Sequence, residues 1–297
     1  MNRLPLLFLF ALMSLFSCLT AAAQSPGEAP AAQSVPLPAI PDSLRTPALR
    51  ADWLISHFWD VVPFGEISIP AGEPLLEQGL VDFISVLPYA SSDSIAASGF
   101  ANMALKASVA PPALEFLTRT AEIYLINSDS PMASEPLYIR YLSGLLSTGL
   151  LSEAQQFRAE DKLETVSKNL PGTKAADFSF TTLSGDESSL FQFIADKPKT
   201  MVIFFDPDCE NCGEVMARLQ QDASLLSDVA DGRLAVLAVY AGPDTGSWRR
   251  KAAALPEVWT VGINVSEIDD EDLYYFPSLP TLYYIAPDAT VLSREYP

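Results

Sequence analysis

The 297-residue sequence is poor in the side chains that most site chemistry is built from. It holds three cysteines and one histidine. So few cysteines cannot staple a small secreted scaffold, and the fold must rest on ordinary hydrophobic cores. Cys18 lies in an apolar leader, which leaves Cys209 and Cys212 for the folded chain. Two thiols and the remote His57 fall short of a four-ligand zinc site, so no metal is expected. His57 stands beside Trp53 and Trp59 in a helical stretch, where a lone histidine reads as packed or half exposed rather than catalytic. Trp53, Phe58 and Trp59 read as core rather than as a ligand cage. Basic residues are scarce as well: 18 Lys and Arg stand against 37 Asp and Glu, a formal net charge of −19. That balance excludes nucleic acid and anionic membrane surfaces as partners. What is abundant is apolar, 49% of residues against 19% charged, the composition of a globular chain long enough for two domains.

The chain opens with Arg3, an apolar run from Leu4 to Leu19 and Ala21-Ala22-Ala23. These are the three parts of a secretory signal peptide over residues 1–23, cut after Ala23. A competing reading makes Leu15-Phe16-Ser17-Cys18 a lipidation site, although Phe16 fits such a site poorly. The membrane is a partner only on that reading. Residues 24–44 are a proline-rich linker, extended and unable to bury a core. From 45 to 168 the apolar spacing is helical throughout. Helices are expected over about 46–62, 73–87, 92–108, 111–126, 135–147 and 152–168, with prolines and serines at their starts. No alternating strand pattern of useful length and no clean internal repeat occurs there, and the region carries no evident site.

At Asn169 the pattern changes. Pro171-Gly172 breaks the last helix, and strands then alternate with helices: about 178–183, a helical segment 188–194, strand 200–205, a helix 214–226, strand 233–240, helix 245–254, strand 259–265, and a terminal hairpin of 281–285 with 290–293. The acidic stretch Glu267 to Asp272 reads as surface. The fold class is therefore α+β, an all-helical domain followed by an α/β domain with a mixed sheet. Within the second domain, Met201 to Phe205 leads into Asp206-Pro207-Asp208-Cys209-Glu210-Asn211-Cys212. If a helix starts near Cys209, its unpaired N–H groups and macrodipole stabilise a thiolate there. Cys212, one turn on, is then placed to resolve a mixed disulfide. No Lys, Arg or His occurs between Met201 and Ala217. Asp206, Asp208 and Glu210 should therefore tune the thiols, disfavouring a second negative charge and pulling the pair towards a reductant.

Residues 169–297 resemble the thioredoxin-like domains of the TlpA/ResA group, exported thiol–disulfide oxidoreductases. The segments that carry the resemblance are Asn169-Leu170-Pro171-Gly172, Ala176-Asp177-Phe178, the Cys209/Cys212 pair and Leu279-Pro280-Thr281. Residues from about 45 to 168 resemble an uncharacterised helical domain found ahead of such domains in exported proteins of Gram-negative bacteria, through Phe58-Trp59-Asp60 and Ser130-Pro131-Met132. The resemblance implies Cys209 as nucleophile and Cys212 as resolving thiol. It implies a cis bond before Pro280, with the Leu279 backbone binding the substrate chain. It implies a periplasmic or envelope location, a redox-active disulfide with no other cofactor, and protein thiols or disulfides plus an electron donor as partners. A homodimer is left open. Three departures stand out. Asp208 replaces the usual tryptophan before the first cysteine. Ile203 occupies the position where thioredoxins bury a carboxylate. The final helix expected to cover the sheet has no counterpart before Pro297, which leaves a face or edge to be covered by the helical domain or a second copy. The alternative reading is a binding or scaffold protein whose cysteine pair is only a structural disulfide.

Overall fold

The computed structural model describes residues 34–127, 129–264, 268 and 273–296. The proposed leader, Cys18 and the acidic stretch apart from Ile268 lie outside the described residues. Six helices come first: α1 Pro47–His57, α2 Glu73–Val86, α3 Asp93–Ala107, α4 Pro111–Ile126, α5 Glu135–Ser147 and α6 Glu153–Val166. Their starts follow local chemistry. Thr46, Ser92 and Ser134 accept the N–H three residues on, Ser152 and Gln155 form a capping box, and proline sits in the first turn of α1, α2, α4 and α5. Their apolar faces close on one core. Its spine is a run of ring contacts: Trp59 to Phe83 at 5.5 Å, Phe83 to Phe100 at 5.3 Å and Phe100 to Tyr141 at 5.4 Å.

Three expectations fail in this half. The first helix stops at His57 instead of Val62; the chain turns ahead of Pro63, and Val61 faces solvent while Val62 is buried. The linker is not a pure spacer either. Val35 is buried against α2, where Gly79 lets it come so close that a Cβ would stand 2.8 Å from Val35 Cγ1. Trp53 is half-buried rather than core. His57 stacks on it at 4.4 Å and donates Nδ1–H to the Trp53 carbonyl at 2.8 Å, so the histidine serves its own helix.

The second half is a seven-stranded mixed sheet of β1 Ser179–Thr182, β2 Glu187–Ser189, β3 Thr200–Phe204, β4 Ala235–Ala241, β5 Thr260–Asn264, β6 Thr281–Ile285 and β7 Val291–Glu295. The order is β2-β1-β5-β4-β3-β6-β7, with β3–β4 and β4–β5 parallel and the other pairs antiparallel. Strand alternation divides two cores. Val202, Phe204, Leu237 and Val239 face one, together with α7 Leu190–Ile194; Met201, Ile203, Val236 and Ala238 face the other. The second core is covered by α8 Glu210–Leu219, α9 Ala223–Ala230 and α10 Gly246–Ala252.

Two further expectations change here. The single helix expected over 214–226 is two helices. The first starts four residues earlier, because Cys209 is its cap. It ends before Gln220-Gln221-Asp222, where the Asp222 carboxylate accepts the Leu225 N–H at 2.9 Å and starts a new helix. Leu225, not Leu226, then points inward. The segment 188–194 is likewise strand β2 followed by a short helix, with Ser188 paired to Phe180.

The two halves meet at the edge strand β7. The buried Arg294 guanidinium pairs with Glu135 at the start of α5, donates to the carbonyls of Lys168 at 2.7 Å and Val166 at 3.2 Å, and lies over the rings of Tyr275 and Tyr283.

Candidate functional site

The β3–α8 turn is built by its neighbours in sequence. Strand β3 is buried along its whole length, so it fixes where Phe205 emerges from the sheet. Asp206-Pro207-Asp208 then turns the chain, with the Asp206 carboxylate accepting the Asp208 N–H at 2.6 Å. Cys209 is the N-cap of α8: its backbone is extended, and its sulfur accepts the Cys212 N–H at 3.3 Å. That places Sγ where the free N–H groups of the first turn converge and negative charge is favoured. Cys209 is partly exposed, Cys212 is buried, and both are free thiols.

The cysteines differ sharply in environment. Burial pushes the Cys212 thiol up to about 12; a hydrogen bond from the Asp206 backbone offsets part of this, while the Cys209 sulfur and the Asp206 charge add to it. Beneath the pair lies Ile203, fully buried in the same core as Cys212 and Met216, so the floor of the site is apolar. The acidic residues divide by role. Asp206 is the carboxylate that acts on Cys212. Asp208 accepts a hydrogen bond from Ser247 Oγ of α10 at 2.6 Å, and Glu210 points to solvent.

Across from Cys209 the Leu279–Pro280 peptide is cis. The Leu279 carbonyl faces the site, accepting the Cys209 thiol at 3.8 Å and Asn211 Nδ2–H at 3.0 Å. The structure thus brings Cys209, Cys212, Asp206, Leu279 and Pro280 to one place. Asn211 and Ser247 were not singled out from the sequence. Asn211 lies inside the cysteine motif, yet nothing in its spacing says that it reaches a carbonyl across the site; Ser247 carries no local signal at all. On the far side of α8, Asp206, Cys212 and Met216 share a cleft of about 400 Å3 with Arg250 and Lys251 of α10. Among the described residues no group of three or more His, Cys, Asp or Glu is placed to hold a metal ion, and no helix is long and apolar enough to cross a membrane.

Residues 17–169 match the model of a family described as a domain of unknown function, DUF5106, which takes in more than half of the chain. The chain belongs to the DUF5106 family. Beyond the DUF5106 region, the whole architecture is shared with a thioredoxin-like protein from Bacteroides caccae. The two are 29% identical with a TM-score of 0.77, over 89% of this chain and 94% of the other. The arrangement of a helical region followed by a mixed-sheet, thioredoxin-like fold is therefore not peculiar to this sequence. Two further solved structures match the chain in part. One is a conserved protein of unknown function from Bacteroides fragilis, 32% identical over 43% of this chain and 92% of that one, with a TM-score of 0.40. The other is the thioredoxin domain of a thiol–disulfide oxidoreductase from Bacteroides vulgatus, 20% identical over 42% of this chain and 88% of that one, with a TM-score of 0.35. Among curated proteins nothing matches the chain.

Proposed function

We propose that this DUF5106 protein is an exported thiol–disulfide oxidoreductase of the TlpA/ResA kind, acting as a reductant in the periplasm or cell envelope. The observation that carries the reading is the asymmetry of the cysteine pair: one sulfur caps a helix and reaches solvent, while the other is buried one turn on. Cys209 attacks as thiolate. Its sulfur bonds to one sulfur of a substrate disulfide, and the other substrate sulfur leaves as a thiolate. Cys212 then gives up its proton and attacks the Cys209 sulfur. The bound substrate sulfur leaves, and both electrons of the new thiols have come from the protein, which ends as the Cys209–Cys212 disulfide. A dithiol donor restores the pair by the reverse exchange. Leu279 and Pro280 bind the substrate chain, with the Leu279 carbonyl as acceptor.

The reductant assignment rests on charge. A strong oxidant of this chemistry is one whose reduced thiolate is stabilised, and here the Asp206 charge opposes ionisation of Cys212, while Asp208 and Glu210 add negative charge to a turn that holds no cation. Equilibration with a dithiothreitol redox buffer at pH 7 should place the midpoint nearer about −270 mV than about −120 mV; a value above about −180 mV rejects the reductant reading. A pair that resists reduction altogether makes the disulfide structural and the protein a scaffold. A Cys212→Ser variant expressed in the native envelope should accumulate mixed disulfides at Cys209, which mass spectrometry would identify.

A further inference from the structure

The cysteine chemistry leaves the helical half without a task, yet that half contains a second cleft, of about 530 Å3, between α4 and α6. Short connections make α4, α5 and α6 run alternately up and down, so α4 and α6 are parallel walls and α5 is the floor. The floor is apolar: Leu142 and Leu145 are buried beneath it, and the walls add Leu114 and Leu151. One end is closed by an ion pair between Lys162 of α6 and Glu122 of α4. That contact sets the register of the two walls. Arg119 lies three residues before Glu122 and Arg158 four before Lys162. At 1.5 Å rise per residue they stand roughly 4.5 Å and 6 Å below the bridge, at nearly one level and on opposite walls. Both line the cleft and both are exposed. Among the described residues neither makes an ion pair or a side-chain hydrogen bond, and Glu115, one turn from Arg119, is not within ion-pair distance of it.

Two guanidinium groups without an ion-pair partner that line one cleft repel. Of the two carboxylates that line the cleft, Glu122 is taken up by Lys162 and Glu115 is not within ion-pair distance of either arginine. A bound carboxylate between the two forks would convert the repulsion into charge-assisted hydrogen bonds. The apolar floor next to them would cover a hydrocarbon body, and the volume lies within the range of small-molecule sites. We infer that the α4–α6 cleft of the helical domain is a binding site for a small amphipathic acid, its carboxylate held by Arg119 and Arg158 and its apolar body lying on Leu142 and Leu145. The site does not depend on the redox reading.

The full chain tests it by calorimetric titration with decanoate, 1-decanol and acetate. Decanoate should bind at one per chain, with decanol and acetate each at least ten-fold weaker. An Arg119→Gln/Arg158→Gln variant should lose at least ten-fold in decanoate affinity and keep its affinity for decanol. Both residues are exposed, so the variant should melt as the parent does; should it not, the single Arg158→Gln variant is read instead and should show a several-fold loss. Absence of saturable decanoate binding overturns the inference, as does equal binding of decanol, or decanoate binding that survives the loss of both arginines.

Discussion

At the scale of single residues, the proposed exchange depends on two sulfurs held at different depths. Burial raises the Cys212 thiol well above its ordinary value, which sets the sign of its pH dependence. Its folded-state thiol titrates up to about 12 against a reference of 9.0, so the contribution to stability of the reduced protein is fully present below about pH 9 and is lost as pH rises towards 12. Buried tyrosines such as Tyr141 and Tyr274 also titrate high and give an alkaline loss of their own, so a difference measurement is required. Wild-type reduced protein should lose more stability than Cys212→Ala between pH 9 and 11 in urea titrations; parallel curves would show that the thiol is not held neutral by the fold. Asn211 offers a second test. It occupies the Leu279 carbonyl that a substrate chain would use, at 3.0 Å. Removing a competing hydrogen bond of about 0.5–1.5 kcal/mol should lower KM for a peptide disulfide by about two- to ten-fold in Asn211→Ala, with kcat little changed. A raised KM would mean that the amide itself holds substrate.

At the scale of elements, the helical core is set by how closely α3 and α5 cross. Gly144 of α5 lies against the α3 backbone; an added Cβ would stand 2.4 Å from the Ala97 carbonyl oxygen and 3.1 Å from the Ala101 nitrogen. Neither atom can rotate away, so helix propensity, which favours alanine by about 1 kcal/mol, is overridden by the clash. Gly144→Ala should therefore destabilise, by about 1–3 kcal/mol or more, in urea denaturation followed at 222 nm. A neutral or stabilising result would mean that the two helices are free to separate. The break between α8 and α9 is the comparable feature of the sheet half. The polar run Gln220-Gln221-Asp222 ends one helix and caps the next, which turns Leu225 inward into the core beneath α8.

At the scale of the whole molecule, the two halves are joined through one buried cation. Arg294 is 2% exposed in its side chain and Glu135 14%. Tyr296 adds a hydrogen bond to the same carboxylate at 2.6 Å. Breaking such a pair by deleting one partner leaves a desolvated charge, which costs about 3–5 kcal/mol, whereas replacing both partners by apolar groups of similar size is often near neutral. Glu135→Ala should thus be strongly destabilising in urea and Glu135→Met/Arg294→Met far less so. Equal losses in the two variants would mean that Arg294 works mainly through the Lys168 and Val166 carbonyls. The pin also reaches into the sheet half, since Tyr283 and Tyr275 stack on Arg294, and Tyr283 Oη donates to the Tyr275 carbonyl at 3.1 Å at the base of the loop carrying Leu279.

Much of the architecture was legible in the sequence because it rests on interactions within a turn of chain. Serine caps and first-turn prolines mark where α2 to α6 begin, the unbroken apolar run from Met201 to Phe205 marks a buried strand, and the strand, turn and helix around Cys209 put that sulfur at a helix start. The helix boundary at Gln220 was less legible, because an apolar spacing that continues through a capping aspartate reads as one helix. Other features depend on where distant parts of the chain come to lie. Asn211 meets Leu279, Ser247 meets Asp208, and Arg294 meets Glu135 across separations of 68, 39 and well over a hundred residues. Arg119 and Arg158 share a cleft only because α4 and α6 run parallel on α5. Residue type and spacing determine a local dihedral, a cap or a buried face, since each is decided by near neighbours. Which carboxylate meets which guanidinium, and which cation is left without one, is decided by packing, because a long-range pair forms only when the cores have already fixed both of its ends.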